Sequence, residues 1–384
     1  MKRTSFLHFK LLICILIFYL IIIGIIASRY DFNLSCFIHF GEQSATFAKE
    51  LIPPNFVIMK NTPGYDGQAY YYIGADPFIK TDFYRIGFRY QRYLYPFLAH
   101  FLAFGRSTLL PYSLLAINIL AILIGTLFLS FLLKKRGISV WYSLIFALGI
   151  GNIMALQYDL TSPLCICLIL GGICFYEAKK IGSTAIFFSL ALLTRETAGL
   201  IILVFLMYEF FEKRYKNSFV IILSFVPFIL LQFFLYQRLG EIPLLGSSGH
   251  LSLPFAGIIQ KISSINLSGG GIKHILREIS VIPYFCFVML VLAVSAIKLS
   301  RNRNIYNWNL FIQAFVSLFM CFSIWEALAA ATRVTFTIFP FMILSYAKDR
   351  DKLSKYLFIG AGLLTIAAVI RILFISPVHP YYLS

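Results

Sequence analysis

The chain has 384 residues, of which 60% are hydrophobic and only 13% are charged. Soluble globular proteins contain about 45–50% apolar and about 25% charged residues, so this composition, with a mean hydropathy of +0.83, excludes a soluble enzyme, a disordered chain and a disulfide-built secreted scaffold. It predicts an all-α integral membrane protein, and the formal net charge of +17 is explained below by membrane topology, with no nucleic-acid partner.

The chain begins with a basic segment and an apolar run at residues 11–28, with no small-residue cleavage site before the polar stretch that follows. We expect a retained first span with a cytoplasmic N-terminus, although an uncleaved signal-like segment has the same pattern. Residues 29–110 are the longest polar segment and are predicted to be a large first extracytoplasmic loop. Within it, residues 92–105 are apolar and aromatic but only about 14 residues long, which predicts an interfacial helix and not a span.

Ten further apolar runs follow, which predicts about 11 transmembrane helices in a single polytopic domain, residues 1–384. The runs lie near 111–133, 138–156, 161–176, 181–193, 197–211, 218–236, 281–297, 308–324, 334–347 and 356–375. The N-terminus and alternate short loops hold 18 of the 33 Lys and Arg residues, which predicts that these loops are cytoplasmic. Residues 237–280 are then expected to be a second extracytoplasmic loop, with the C-terminal tail on the same side.

Residues 181–211 form a nearly continuous apolar stretch that only Arg195 and Glu196 interrupt. As one helix it would be about 46 Å long at ~1.5 Å per residue, well beyond a hydrocarbon core of ~30 Å. Basic clusters flank it at both ends, so both ends favour the same side. The pattern predicts a hairpin of two short helices with Arg195 and Glu196 at its outward tip. The same pattern places Arg333 near the outer end of residues 327–347.

The most informative motif is Pro-Gly-Tyr-Asp-Gly-Gln, followed by a tyrosine-rich segment, at residues 63–78 of the first outer loop. Asp66 stands between a Pro-Gly turn and a predicted helix that Pro77 ends. The carboxylate is either the N-cap of this helix or, if it faces a membrane-bounded cavity, a base that accepts a proton from a hydroxyl. Asp76, directly before Pro77, is more typical of a turn residue.

These residues resemble a known class of enzymes. Residues 65–68 and 89–96 are similar to the first outer loop of GT-C-class polytopic membrane glycosyltransferases, which use polyprenyl-phosphate sugars; the resemblance is to bacterial proteins of cell-surface glycopolymer formation and, more distantly, to protein O-mannosyltransferases. It covers residues 64–96, with weaker similarity at 193–197 and 331–333. It implies sugar transfer to a glycan, lipid or protein acceptor on the extracytoplasmic face of the bacterial plasma (inner) membrane, with Asp66 as the catalytic acid/base.

The resemblance also bears on a second acid and on cofactors. Members of this class often have a second acidic residue or a divalent metal beside the base, and Asp76, Asp159 and Glu196 are the candidates for that acid here. The sequence assigns no metal ligands, because the cysteines lie mostly in apolar runs and His250 and His274 are isolated histidines in a loop. No cofactor is assigned, and a divalent metal stays open.

The leaving group of such a donor is a phosphate with about two negative charges, which a cationic site must receive. Arginine binds phosphate in a fork, and the outward-facing arginines are Arg85, Arg89, Arg92, Arg195 and Arg333. We expect Arg333 first, then Arg195 and Arg92, to bind the phosphate. The alternatives are an ion pair of Arg333 with Glu326, pairing of Arg195 with its own neighbours, and binding of lipid headgroups by Arg89 and Arg92.

Other loop residues complete the predicted substrate-binding set. Tyr65 and the tyrosines at 70–72 either stack on sugars or form an interfacial tyrosine belt, and Gln68, Asp76 and Glu196 are included from the matching segments. The glycines in residues 237–280 predict either a loop that closes over the acceptor or an ordinary connection. The sequence assigns one base, Asp66, and no second carboxylate that could form a covalent sugar intermediate. Transfer is therefore expected to invert the anomeric configuration.

Three other functions fit parts of the pattern. A lipid-linked sugar transporter or flippase usually shows two similar halves, and the motif of residues 64–96 is not repeated. An O-antigen polymerase or ligase usually has its large outer loop in the later half of the chain. A non-catalytic assembly subunit stays open if Asp66 is only a helix cap.

Overall fold

The structure is a computed structural model that describes residues 2–47, 49–80, 87–246, 248–266, 271–374 and 380–382. The protein is 78% helical, which confirms the all-α prediction. The α-helices are α1 (Lys2–Ala27), α2 (Glu42–Phe47), α3 (Asp66–Ala75), α4 (Leu94–Leu102), α5 (Leu110–Lys135), α6 (Leu144–Ala147), α7 (Ile150–Gln157), α8 (Ser162–Glu177), α9 (Ile181–Thr194), α10 (Ala198–Phe211), α11 (Tyr215–Ile222), α12 (Val226–Leu239), α13 (Pro243–Gly246), α14 (Ala256–Ser263), α15 (Ile272–Ile279), α16 (Val281–Arg301), α17 (Ile305–Val316), α18 (Phe322–Trp325), α19 (Leu328–Thr335), α20 (Ile338–Asp349) and α21 (Leu353–Phe374).

Short 3-10 helices join several of these elements. They are Ser28–Tyr30, Leu34–Phe37, Lys49–Leu51, Gly87–Gln91, Ser107–Leu109, Val140–Ser143, Leu223–Phe225, Ser248–His250 and Ser317–Phe319. The strands are β1 (Phe40–Gly41), β2 (Val57–Met59) and β3 (Pro380–Tyr382).

Five helical segments are long and apolar enough to cross a membrane: Leu7–Tyr30, Ser107–Lys135, Tyr215–Leu239, His274–Arg301 and Leu353–Phe374. Two bent helix pairs, with bends of 44° between α6 and α7 and 43° between α19 and α20, raise the number to seven if each pair is one span. These helices indicate a multi-pass membrane protein. The prediction of about 11 spans is not confirmed, because α8, α9 and α10 are apolar but only 14 to 16 residues long.

The hairpin predicted for residues 181–211 is present. α9 ends at Thr194 and α10 begins at Ala198. The rings of Phe188 and Phe205, which lie at equal distances from the break, have centroids 5.2 Å apart. In a continuous helix these two residues would be about 25 Å apart at ~1.5 Å per residue. The two helices therefore fold back on each other, with Arg195 and Glu196 at the tip.

Residues of the predicted first loop and residues of two basic clusters lie at opposite ends of α5. Near the start of α5, the Tyr95 hydroxyl donates to the Leu114 carbonyl over 3.1 Å. Beyond its other end, Arg136 donates to Glu177 at the end of α8, and Arg350 donates to the Arg136 carbonyl. Because α5 has 26 residues, the two ends are about 39 Å apart at ~1.5 Å per residue.

A small sheet in the first loop was not predicted from the sequence. β1 pairs parallel with β2, and β2 pairs antiparallel with β3, with Phe40 opposite Ile58 and Ile58 opposite Tyr381. The pairing brings the C-terminal segment onto the first loop. The two segments therefore lie at the same end of the molecule, as expected from the predicted topology.

The apolar segment in the first loop forms α4, a helix of nine residues. At ~1.5 Å per residue it is about 14 Å long, too short to span a bilayer. One face packs inward through Tyr95 and Ala99, while Phe101 and Leu102 are more than half exposed. A location at the membrane interface stays a prediction that this exposed apolar face supports.

The second predicted outer loop is folded against the bundle over its described part. The Cys321 amide donates to the His250 carbonyl over 3.0 Å, and the Ser252 amide donates to Phe319 over 2.7 Å. α14 packs so closely on the chain just before α18 that a Cβ at Gly257 would lie 2.2 Å from the Met320 carbonyl oxygen. Residues 248–257 are therefore held in place and do not form an extended flexible connection.

Candidate functional site

The carboxylate of Asp66 lies at the first turn of α3 and contacts three arginines. Arg89 donates to Oδ1 through Nε over 2.9 Å and through Nη2 over 2.8 Å. Arg92 Nη1 lies 3.3 Å from Oδ2, and Arg333 Nη1 donates to the same oxygen. Tyr65 is the N-cap of α3 and makes no side-chain cap bond. The interpretation of Asp66 as an N-cap is therefore wrong.

The start of α3 is fixed by close backbone packing. The Gln68 side chain accepts from the Gly41 amide over 3.1 Å and donates to the Pro63 carbonyl over 2.9 Å. A Cβ at Gly67 would lie 2.5 Å from the Tyr158 carbonyl oxygen, so only glycine fits there. Gln68 thus positions the turn before Asp66, and its predicted contact with substrate stays a prediction.

Arg92 joins Asp66 to a second acid from the hairpin tip. It binds Glu196 in a fork, with Nε to Oε2 at 2.9 Å and Nη2 to Oε1 at 2.5 Å. Its Nη1 also donates to the Tyr70 hydroxyl over 3.0 Å. Glu196 is therefore the acid that the structure brings beside Asp66.

The other two candidates for the second acid lie elsewhere. Asp76 accepts from the Lys80 amide over 2.7 Å, which confirms that it is a turn residue and gives no support to a substrate contact. Asp159 is completely buried and lines neither of the two cavities that Tyr65 borders.

The predicted phosphate-binding arginines divide into two groups. Arg333 and Arg89 line a cavity with Asp66. Arg195 is 1% exposed, donates to the Ser162 hydroxyl over 2.5 Å and lies 5.8 Å from the Phe336 ring centroid. Arg195 and Arg92 are therefore buried next to the cavity-lining residues but do not line the cavity themselves.

The ion pairs proposed as alternatives for Arg333 and Arg195 are not observed, and lipid-headgroup binding by Arg89 and Arg92 stays a prediction. Arg333 binds Asp66, whereas Glu326 is exposed, so the predicted Glu326–Arg333 ion pair is wrong. Glu196, the neighbour of Arg195, is bound by Arg92 instead. Arg85 lies outside the described residues, as do the glycines at 269 and 270.

The site carries more positive than negative charge. Four arginines (Arg89, Arg92, Arg195 and Arg333) surround two carboxylates, which leaves a net charge of +2. Burial would raise the pKa of the Asp66 carboxyl, but Arg333, Arg89 and Arg92 outweigh burial and hold that pKa well below its usual range. For Glu196, burial is likewise outweighed by Arg92 and Arg195, which lower its pKa to about 2. Both acids are ionised at neutral pH.

The Asp66 cavity has a volume of about 490 Å³ and is lined in part by Tyr65, Asp66, Arg89, His250 and Arg333. The Tyr65 hydroxyl is buried and has no hydrogen-bond partner among the described residues. Arg333 lies over the Tyr65 ring, 5.6 Å from its centroid. The cavity is thus lined by a carboxylate, two guanidinium groups and a tyrosine whose buried hydroxyl has no partner among the described residues.

His250 also lines the Asp66 cavity. The sequence analysis described it only as an isolated histidine and did not assign it to the site. Burial lowers its pKa, and the nearby Arg333, Arg92 and Arg89 lower it further. Nδ1 is buried with no hydrogen-bond partner in the described part of the chain. His250 therefore presents a neutral imidazole to the cavity at neutral pH.

The tyrosines at 70–72 are core residues. All three are at most 3% exposed. The Tyr71 hydroxyl donates to the Leu51 carbonyl over 2.8 Å, and the Tyr72 hydroxyl donates to the Ser44 carbonyl over 3.4 Å. Neither the sugar-stacking nor the interfacial-belt interpretation holds for them, because they hold the first loop together from inside.

The residues at the site do not fit a divalent cation. Both oxygens of Asp66 and both oxygens of Glu196 are already bound by guanidinium groups, and the local net charge is positive. The described residues contain no group of three or more His, Cys, Asp or Glu side chains arranged to hold a metal ion. We derive no step through a metal.

Comparisons with protein-family models, with curated proteins and with solved structures found no match to this chain. The functional assignment therefore rests on the geometry of the Asp66 site and on the sequence resemblance.

Proposed function

We propose that the protein is a membrane glycosyltransferase that moves a sugar from a polyprenyl-phosphate donor to a glycan, lipid or protein acceptor on the extracytoplasmic face. The observation that supports this most is an ionised Asp66 facing a cavity inside a cluster with a net charge of +2. A phosphate leaving group of about two negative charges would balance this cluster.

In the proposed reaction, the acceptor hydroxyl attacks the anomeric carbon and the bond from that carbon to the phosphate oxygen breaks. The phosphate leaves with the electron pair, and Asp66 takes the hydroxyl proton. Attack opposite the leaving phosphate inverts the anomeric configuration. Glu196 is bound in a fork by Arg92 and is therefore not free to form a covalent sugar intermediate.

Donor binding would also activate the base. With no donor bound, Asp66 is a poor proton acceptor, because three arginines lower its pKa. A donor phosphate in the cavity competes with Asp66 for Arg89, whose side chain is 35% exposed, and for Arg333. As these arginines turn to the phosphate, the Asp66 pKa rises and one carboxylate oxygen becomes free for the acceptor proton.

The location of the site supports an extracytoplasmic reaction. The Asp66 cluster lies at the end of the bundle opposite to Arg136 and Arg350, where the basic clusters converge. Positively charged loops face the cytoplasm, so we infer that the cavity opens on the other side. The assignment to a bacterial plasma membrane rests on the resemblance.

One observation favours a second candidate, a transporter or flippase for lipid-linked sugars. Arg333 lies in α19, which forms a bent pair with α20, and broken helices are common at transporter binding sites. An O-antigen polymerase or ligase has no comparable support in the geometry.

The test is release of free polyprenyl phosphate from a radiolabelled polyprenyl-phosphate sugar by the purified protein in liposomes. We expect release by the wild type and a loss of at least about 100-fold in D66N, the usual range for removal of a general base. D31N is the matched control, because Asp31 is an exposed carboxylate of the same loop. Unchanged release by D66N would overturn the proposal, and movement of the intact donor across the bilayer without release would favour the transporter.

A further inference from the structure

A second cavity of about 420 Å³ adjoins the first one. It shares Gly64 and Tyr65 with the Asp66 cavity, so the two are separated by little more than the Tyr65 segment. Its other walls come from the ends of α1 and α21 and from the chain between α18 and α19. We call it the α1–α21 cavity.

Three arginines line the α1–α21 cavity: Arg29, Arg277 and Arg371. Arg371 donates to the Gln157 side chain over 3.1 Å and to the Tyr158 hydroxyl over 3.3 Å. Arg29 donates to the Leu373 carbonyl over 2.9 Å, which places it beside Arg371 on the last turn of α21. Within the described residues, none of the three forms an ion pair with a carboxylate.

The other titratable groups of this cavity leave its positive charge largely in place. Glu278 is bound by Lys261 at 2.5 Å, and Glu326 is exposed at the rim. Burial, with a further contribution from Arg371, lowers the pKa of His39 to about 4, so His39 is neutral. The three arginines and Glu326 give a net charge of +2, which suits an anion.

The cavity also borders a surface that suits a lipid chain. α1 and α21 both lie in span-length apolar segments. One face of α21 carries exposed apolar side chains at helical spacing: Ile359, Leu363, Ile366, Ile370 and Leu373. Arg371 lies in the last turns of the same helix, but its side chain turns inward, toward Gln157 and Tyr158. A hydrocarbon chain lying along the exposed face would therefore end at the level of the cavity, whose arginines would receive its headgroup.

We propose that the α1–α21 cavity binds a phosphate group carried by a membrane lipid and, resting on the function proposed above, that this lipid is the sugar acceptor. In the proposed reaction the donor phosphate leaves beside Arg89 and Arg333 and therefore occupies the Asp66 cavity. The arginines of the α1–α21 cavity then stay free to bind a phosphate of the acceptor. The two sites meet at Tyr65, which lines both cavities and directly precedes the base Asp66 in the chain.

The binding test uses the full-length protein in neutral detergent micelles. Three probes are titrated and followed by native mass spectrometry: short-chain phosphatidic acid, short-chain phosphatidylcholine and inorganic phosphate. We expect phosphatidic acid to bind at least about tenfold more tightly than the other two. R371Q and R29Q should each weaken it by about tenfold, because each removes a charged donor to the phosphate. R238Q is the matched control, because Arg238 is exposed and lines neither cavity.

Equal affinity in wild type, R371Q and R29Q would overturn the site, and so would equal weakening by R238Q. Inorganic phosphate binding as tightly as phosphatidic acid would overturn the lipid part. The variants lie on two different helices, so misfolding of one leaves the other as a test.

A kinetic measurement addresses the acceptor role. R371Q should raise the acceptor KM at least about fivefold with the donor KM unchanged, and a rise of the donor KM alone would overturn the assignment of this cavity to the acceptor. The binding test does not depend on sugar transfer. If the wild-type protein binds phosphatidic acid but transfers no sugar, the proposed function is refuted and the cavity proposal stands. If it transfers sugar but binds no phosphatidic acid, the cavity proposal is refuted and the proposed function stands.

Discussion

Arg333 of α19 donates a hydrogen bond to Oδ2 of Asp66, which lies 267 residues earlier in the chain. Both side chains are almost completely buried. The contact joins the start of α3 to α19, a helix near the C-terminal end of the chain, and it makes Asp66 part of an ion cluster. A bound anion that competes for Arg333 would therefore change the basicity of Asp66.

The Asp66–Arg333 pair is predicted to be energetically coupled. D66N and R333Q should each lower the unfolding temperature, because D66N leaves the buried Arg333 without its carboxylate and R333Q removes one of the three arginines that compensate the buried Asp66. The double variant should lose less than the sum of the two, with a coupling free energy of about 0.5–3 kcal/mol. Thermal unfolding of the four proteins in detergent measures this. Strict additivity would contradict the contact, and D31N with R333Q serves as an uncoupled control pair.

The sequence predicted which residues belong to the Asp66 cluster better than it predicted which of them contact each other. Asp66 and Arg333 were identifiable because charged residues near apolar segments are costly and hence informative. The pairing of Arg92 with Glu196 was not identifiable, because it joins two segments 104 residues apart and depends on how the hairpin tip packs on the first loop. Local spacing instead suggested Glu326 as the partner of Arg333.

The same limit explains the other differences. The break at Arg195 was predictable because the length of the apolar stretch and the flanking charges both required it. The burial of Tyr70–Tyr72 was not, since a tyrosine run has the same composition in a core and at a membrane interface. The pairing of β2 with β3 joins segments over 300 residues apart, and no local signal marks it.

Glu196 is predicted to position Arg92. E196Q removes one charge from the fork, so Arg92 should shift toward Asp66 and lower the basicity of that carboxylate further. We expect kcat to fall about 10- to 100-fold with little change in donor KM, and E196D to recover part of it. E241Q is the control, because Glu241 is exposed. A rise in donor KM with unchanged kcat would show instead that Glu196 contacts the donor.

Gly67 is predicted to be essential for the placement of α3. In G67A the new methyl group would meet the Tyr158 and Ile38 carbonyl oxygens at 2.5 and 2.7 Å, and overpacking of this kind costs about 1–3 kcal/mol. G182A is the matched control, because nothing lies within 4 Å of a Cβ there and alanine favours a helix. Thermal unfolding should show a lower midpoint for G67A and an equal or higher one for G182A. Equal midpoints for G67A and wild type would contradict the close approach.

His250 is predicted to shape the acid limb of the transfer activity. The free histidine side chain has a pKa of about 6.5, and burial with the neighbouring arginines lowers this value. If the neutral imidazole accepts a hydrogen bond from the acceptor, activity persists above the lowered pKa and falls only as the pH drops through it, below about 6.5. A pH–rate profile of wild type and H250Q tests this. The variant should lose the limb, and an identical limb in both proteins would remove His250 from the reaction.

The site is predicted to face away from the cytoplasm. The seven natural cysteines are first replaced by serine or alanine. A single cysteine is then introduced at Gln43, which is exposed and lines the Asp66 cavity. In a second protein it is introduced at Lys352, which is exposed at the basic end of the bundle. A membrane-impermeant maleimide should label Q43C in intact cells and K352C only after the membrane is opened. If only K352C is labelled in intact cells, the topology is the opposite of the predicted one, and the Asp66 cavity faces the cytoplasm.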